Sequence, residues 1–149
     1  MERLKTVFFN ENLNFRQHVK LLPLLDPKHF RGLLSQANLY LDTIGFSGFN
    51  TALQAIEQNL PVVTMDGNYM RGRLASGILK RIGLEQLIAK NQDEYVELVT
   101  KLVTDPEFNL KIREHIATNK TSLFLDKAPI IALQEFLISK CRPQDVSGN

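Results

Sequence analysis

Two short stretches carry the residue types best suited to holding an anion. The first, residues 42–51, reads Asp, Thr, Ile, Gly, Phe, Ser, Gly, Phe, Asn, Thr. Its glycine-bearing turn leads straight into a helix start, where free N–H groups and the positive end of the dipole favour a phosphate. Asn50 and Thr51 would add side-chain donors. No lysine follows the glycines and the pattern is not Gly-x-Gly-x-x-Gly, so neither Walker-type nor dinucleotide chemistry is indicated. The same residues also fit a purely structural turn with Asn50 as an ordinary helix cap. The second stretch, residues 66–73, brings Arg71 and Arg73 to the start of the next helix. Cations there oppose the dipole unless an anionic ligand or a carboxylate offsets them, and both readings are open.

Other chemistry is poorly supplied. His18, His29 and His115 are dispersed without metal-ligand spacing, and no Gly-x-Ser-x-Gly elbow appears. The single cysteine, Cys141, excludes an intrachain disulfide framework and a cysteine-based zinc cage, and leads us to expect a reducing, cytoplasmic setting. Eighteen Lys and Arg against 16 Asp and Glu leave a net charge of +2. That field is too weak to argue for nucleic acid, and the phenylalanines show no interleaved basic pattern of an RNA-binding sheet. No apolar run reaches the roughly 18 residues of a membrane span, and the first residues lack the apolar core of a signal peptide. With 149 residues, 44% hydrophobic and 23% charged, the composition is that of one ordinary globular domain.

The elements that must position the two loops follow from periodicity. Residues 1–15 suit a short covering helix with a frayed end. Residues 19–22 read as a short strand stopped by Pro23, and Asp26 with Pro27 opens a helix running to about Gln36. A brief strand over 39–41 enters the first loop, and a helix capped by Asn50 runs to about Asn59. The β-branched run 61–65 is a buried strand, and a helix over 70–82 closes at Gly83. A short apolar segment at 87–89 precedes helices over 92–104, 106–118 and 128–140. Residues 142–149 are expected to be a flexible tail. Strands alternating with helices predict an α/β fold: a parallel sheet covered on both faces, with right-handed crossovers, in one domain over 1–141. Ligands of such sheets bind beyond the carboxyl ends of the strands, which is where both loops fall.

Taken together, residues 18–115 resemble the nucleotide-sugar-binding half of the SPINDLY-like and O-linked N-acetylglucosamine transferase family. The resemblance rests on residues 21–23, 37–43, 48–51, Gln54 with Ala55, 61–65 and 70–73, extended by 87–90, Glu94 with Tyr95, and 104–106. It implies a Rossmann-like domain, the C-terminal half of a GT-B fold that holds a nucleotide-diphosphate sugar without a metal or other cofactor. Carried over residue by residue, Gly48, Asn50 and Thr51 would face the diphosphate, with Phe49, Arg71 and Arg73 beside it. The family's ribose-binding carboxylate corresponds to Gln54, a change we expect to cost roughly tenfold in affinity. Phe49 stands where a small residue or histidine is common.

The resemblance further implies that the domain's first strand, with a basic residue for the leaving phosphate, would precede residue 1. An acceptor-binding domain, with or without helical repeats, would precede that. By itself the chain would then be a piece of an enzyme that transfers a sugar such as N-acetylglucosamine to a protein or glycan. The alternative is a non-catalytic remnant of the fold serving as an interaction module. A flavodoxin-like receiver would need clustered acidic residues that these strand ends lack.

Overall fold

The computed structural model describes residues 2–124 and 126–141; the tail expected over 142–149 lies outside them. Its elements are α1 (Glu2–Asn10), α2 (Phe15–His18), α3 (Pro27–Gln36), β1 (Tyr40–Leu41), α4 (Asn50–Glu57), β2 (Val62–Met65), α5 (Leu74–Arg81), β3 (Ile88–Ala89), α6 (Gln92–Thr104), α7 (Pro106–Asn119) and α8 (Ala128–Cys141). The three strands form a parallel sheet in the order β1-β2-β3. Tyr40 pairs with Val62 and Leu41 with Val63 on one side, Thr64 with Ile88 and Met65 with Ala89 on the other. Helices α4 and α5 touch each other and pack on β2, while α6 lies across β2 and β3 with α7 against it. The α/β expectation therefore holds.

Local chemistry explains the helix boundaries. Asp26 accepts the Lys28 and His29 amides at 3.0 Å ahead of Pro27, so α3 starts where a cap and a proline in the first turn dictate. Asp105 caps α7 in the same way, taking the Phe108 amide at 2.9 Å. Asn91 takes the Glu94 amide while Glu94 reaches back to the Lys90 amide, a reciprocal arrangement at the head of α6. Gly83 stops α5 with φ +72°, a left-handed turn that glycine adopts at no steric cost.

The buried apolar residues gather around β2. Val62, Val63 and Thr64 are buried beneath α4, α5 and α6, and the two valines share one apolar cluster with Ala52, Ala55 and Ile56 of α4, Ala75 and Leu79 of α5, Leu102 of α6 and Ile116 of α7. A strand buried on both faces tolerates only apolar residues or polar ones with a partner, such as Thr64, which is why residues 61–65 read so clearly.

Three expectations fail. Residues 19–22 are not a strand, because a strand exists only through a neighbour's hydrogen bonds and this run has none; Leu21 and Leu22 stand exposed. Residues 70–82 are not one helix: a 3-10 turn at Met70–Gly72 comes first, and Arg73 (φ −126°, ψ 10°) separates it from α5. Asn50 is not a cap, since it is the first residue of α4; Phe49 occupies the cap position and makes no side-chain capping bond. Helix α8 forms as expected, but it buries no residue, and Ile130, Ile131, Leu133, Phe136 and Leu137 remain at least half exposed.

Candidate functional site

Both loops emerge at the carboxyl ends of adjacent strands, and a buried carboxylate lies where they meet. Asp42, the residue after β1, is 4% exposed. Its Oδ2 accepts the hydroxyls of Ser47 and Thr64, each at 2.7 Å, and its Oδ1 accepts the Gly48 amide at 2.8 Å. Three donors offset the desolvation that a lone buried carboxylate would suffer. Ser47 continues the chain of bonds: its hydroxyl oxygen accepts the Ala75 amide at 2.8 Å, and its own amide donates to the Arg71 carbonyl at 2.8 Å. From α6, the Tyr95 hydroxyl donates to the Asp42 carbonyl at 2.9 Å. Burial, with the Asp42 charge and Tyr40 adding to it, pushes the Tyr95 hydroxyl up to about 12.

Gly48 sits where only glycine fits. A Cβ there would lie 2.5 Å from Thr51 Oγ1 and 2.8 Å from the Tyr40 hydroxyl oxygen. Those two oxygens are themselves hydrogen-bonded at 2.8 Å, so the start of α4 is tied to β1 by a side-chain pair. The Gly48 amide is already committed to Asp42. The first-turn amides of α4 with no acceptor within the helix are those at Asn50, Thr51 and Ala52; Ala52 is buried, so Asn50 and Thr51, the less buried pair, are the ones an anion could approach. Thr51 and Gln54, one turn apart, form one wall of a cavity of about 400 Å³ whose other walls include Pro23, Leu25, Phe30 and Leu33. Phe49 is 49% exposed and turns to a different cavity, with Leu53, Arg73 and Leu123.

The two arginines part company. The Arg73 Nε donates to the Gly67 carbonyl at 2.6 Å, bracing a loop that is also closed by the Gly67 amide on the Gly72 carbonyl at 3.0 Å. The Arg71 guanidinium lies 4.8 Å over the centre of the Tyr69 ring, an attraction between a cation and a ring face. Among the described residues Arg71 has no carboxylate partner. Gly48 thus meets Thr51 at the start of α4, Thr51 and Gln54 line one cavity, Asn50 is exposed at the head of α4, Phe49 and Arg73 line another cavity, and Arg71 lies over Tyr69. Among the described residues no cluster of histidine, cysteine and acidic side chains could hold a metal ion.

Asp42, Ser47, Thr64, Tyr40 and Tyr95 were not singled out from the sequence as site residues. The available signal was slight: an aspartate closing a strand, a serine five residues on, and one threonine inside a β-branched run.

Comparison with known proteins bears on this geometry. The model of glycosyl transferase family 41 matches residues 25–131. The chain is 37% identical over 91 residues to a tomato protein (Solanum lycopersicum) named a probable UDP-N-acetylglucosamine–peptide N-acetylglucosaminyltransferase SPINDLY, covering 60% of this chain and 10% of that one. The Arabidopsis thaliana protein of the same name is 34% identical over 98 residues, covering 65% and 11%. Among solved structures, a mutant O-GlcNAc transferase of Thermobaculum terrenum superposes with a TM-score of 0.79 at 26% identity, covering 93% of this chain and 27% of that one. The chain thus spans about a tenth of the length of the curated relatives it matches.

Proposed function

The chain belongs to glycosyl transferase family 41, and from that premise we propose that the site beyond β1 and β2 holds the nucleoside diphosphate of a nucleotide-sugar donor. The observation that carries this reading is the uncommitted first turn of α4, flanked by the cavity that Thr51 and Gln54 share with Leu25 and Phe30. A flat base fits a largely apolar slot of this size, and a diphosphate fits helix N–H groups. Gly48 shapes the turn by its lack of a side chain, Asn50 and Thr51 offer donors, Gln54 accepts from the ribose, and Arg71 supplies the positive charge. No metal is needed for such a set.

In a complete enzyme these groups would stabilise the departing diphosphate while an acceptor nucleophile attacks the anomeric carbon. The names of the relatives suggest N-acetylglucosamine as the sugar and a peptide as acceptor, bound by a part of the protein beyond this domain. A cytoplasmic setting accords with the lone cysteine. The test is calorimetric titration of the 149-residue chain with UDP and with GDP. Binding of either, strengthened roughly tenfold by Gln54→Glu, is the expected result, and no heat with either at millimolar concentration sinks the proposal.

Gln54 also favours a second reading, in which the fold persists as an interaction module. An amide offers the ribose only uncharged acceptance, and that loss is compatible with a site no longer under selection for a donor. Absence of UDP and GDP binding in the parent chain and in Gln54→Glu alike would speak for it.

A further inference from the structure

The donor-site reading needs the first turn of α4 and the Arg71 guanidinium at a fixed separation, although they belong to different loops. Two residues in relay span that gap. Asp42 fixes the first loop through the Gly48 amide and the Ser47 hydroxyl, and fixes β2 through Thr64. Ser47 passes the constraint to the second loop, through the Ala75 amide in the first turn of α5 and through the Arg71 carbonyl. The Tyr95 hydroxyl secures the Asp42 backbone from the far side. Buried as it is, the carboxylate itself is out of a ligand's reach.

We infer that Asp42 is a positioning residue for diphosphate recognition, acting through Ser47 to hold the α4 amides and the Arg71 loop as one anion-binding unit. The inference rests on the donor-site reading for its ligand but not for its mechanics. A carboxylate suits the task better than an amide because it only accepts. All three of its partners can then keep their donor roles, and Ser47 keeps its oxygen free for Ala75. Asparagine would have to donate at one of those positions and would turn a hydroxyl around.

The closing experiment compares UDP with uridine on the full chain. The ratio of their affinities isolates the diphosphate, which a general loss of stability does not alter. In Asp42→Asn the UDP affinity should fall by about tenfold or more while uridine stays within about twofold. Ile116→Val, a core change in α7 remote from the loops, should leave the ratio unchanged. Equal weakening of both ligands by Asp42→Asn, or of neither, overturns the inference. Should Asp42→Asn not fold, Ser47→Ala cuts the link to α5 while leaving Asp42 bonded to Gly48 and Thr64, and the same fall in the ratio is required. If the parent chain binds neither UDP nor GDP, the donor-site reading has failed, and amide hydrogen exchange decides the coupling alone. The Gly48 and Ala75 amides should then accelerate together in Ser47→Ala, and acceleration of Ala75 without Gly48 overturns it.

Discussion

The loop after β1 and the loop after β2 look alike in sequence, both glycine-bearing and both feeding a helix, yet they are built on opposite principles. The first is anchored by an acidic side chain pointing inward, Asp42, which leaves the helix amides beyond it open. The second is anchored by its own backbone and by a basic side chain, with Gly67 bonded to Gly72 and Arg73 bonded to Gly67. That arrangement leaves Arg71 free to stack on Tyr69. The lesson is that a charge in such a loop belongs either to the frame or to the exposed face, and residue type does not say which. Asp42 and Arg73 are frame, whereas Arg71 is face.

The contrast breaks most visibly at its most buried member. Asp42→Ala strands two hydroxyls and an amide in the interior, so urea denaturation should register a loss on the order of 3 kcal/mol; a loss below half of that would show the carboxylate to be dispensable. Next come the arginines. Arg73→Ala removes one hydrogen bond to a loop carbonyl and should cost about 1 kcal/mol, while Arg71→Ala stays within about 0.5 kcal/mol and weakens nucleotide binding instead. Paired thermal melts and titrations check this, and a reversed order would exchange the roles of frame and face.

A further effect appears at alkaline pH. In the unfolded chain Tyr95 releases its proton near 10, whereas the folded chain holds it to about 12. Between those values the folded state binds more protons, so stability is full below pH 10 and falls as pH rises towards 12. Tyr95→Phe should flatten that part of the stability curve. Smallest of all, Asn50→Ala should change stability by no more than about 0.5 kcal/mol, because Asn50 caps nothing. A loss near 1 kcal/mol, the size of a lost cap, would restore the role that the sequence suggested.

How much was legible depended on how local each cause was. Asp26-Pro27 and Asp105-Pro106 announced α3 and α7 because a cap and a first-turn proline act within three residues. The run at 61–65 announced the central strand because burial on both faces tolerates only apolar or satisfied residues. Residues 19–22 misled, since apolar content alone cannot distinguish a strand from an exposed stretch without a partner. Residues 70–82 misled because the break at Arg73 follows from the Gly67–Gly72 closure, which brings residues five apart into contact. Within the candidate site, Asn50, Thr51, Arg71 and Arg73 were named from loop position and Gln54 from the family resemblance alone, whereas Asp42, Ser47 and Thr64 were hidden. Thr64 stands 22 residues from Asp42, and nothing local marks the pair.

The sequence by itself determined the alternation of strands and helices, the two loops at the strand ends and the family they resemble, because periodicity, caps and motif order are properties of neighbours along the chain. The tertiary structure decided which charges face inward, which arginine is free and which amides remain open. Those outcomes depend on the parallel register that sets β1 beside β2, since it brings the carboxylate that ends β1 within reach of donors from its own loop and from the neighbouring strand.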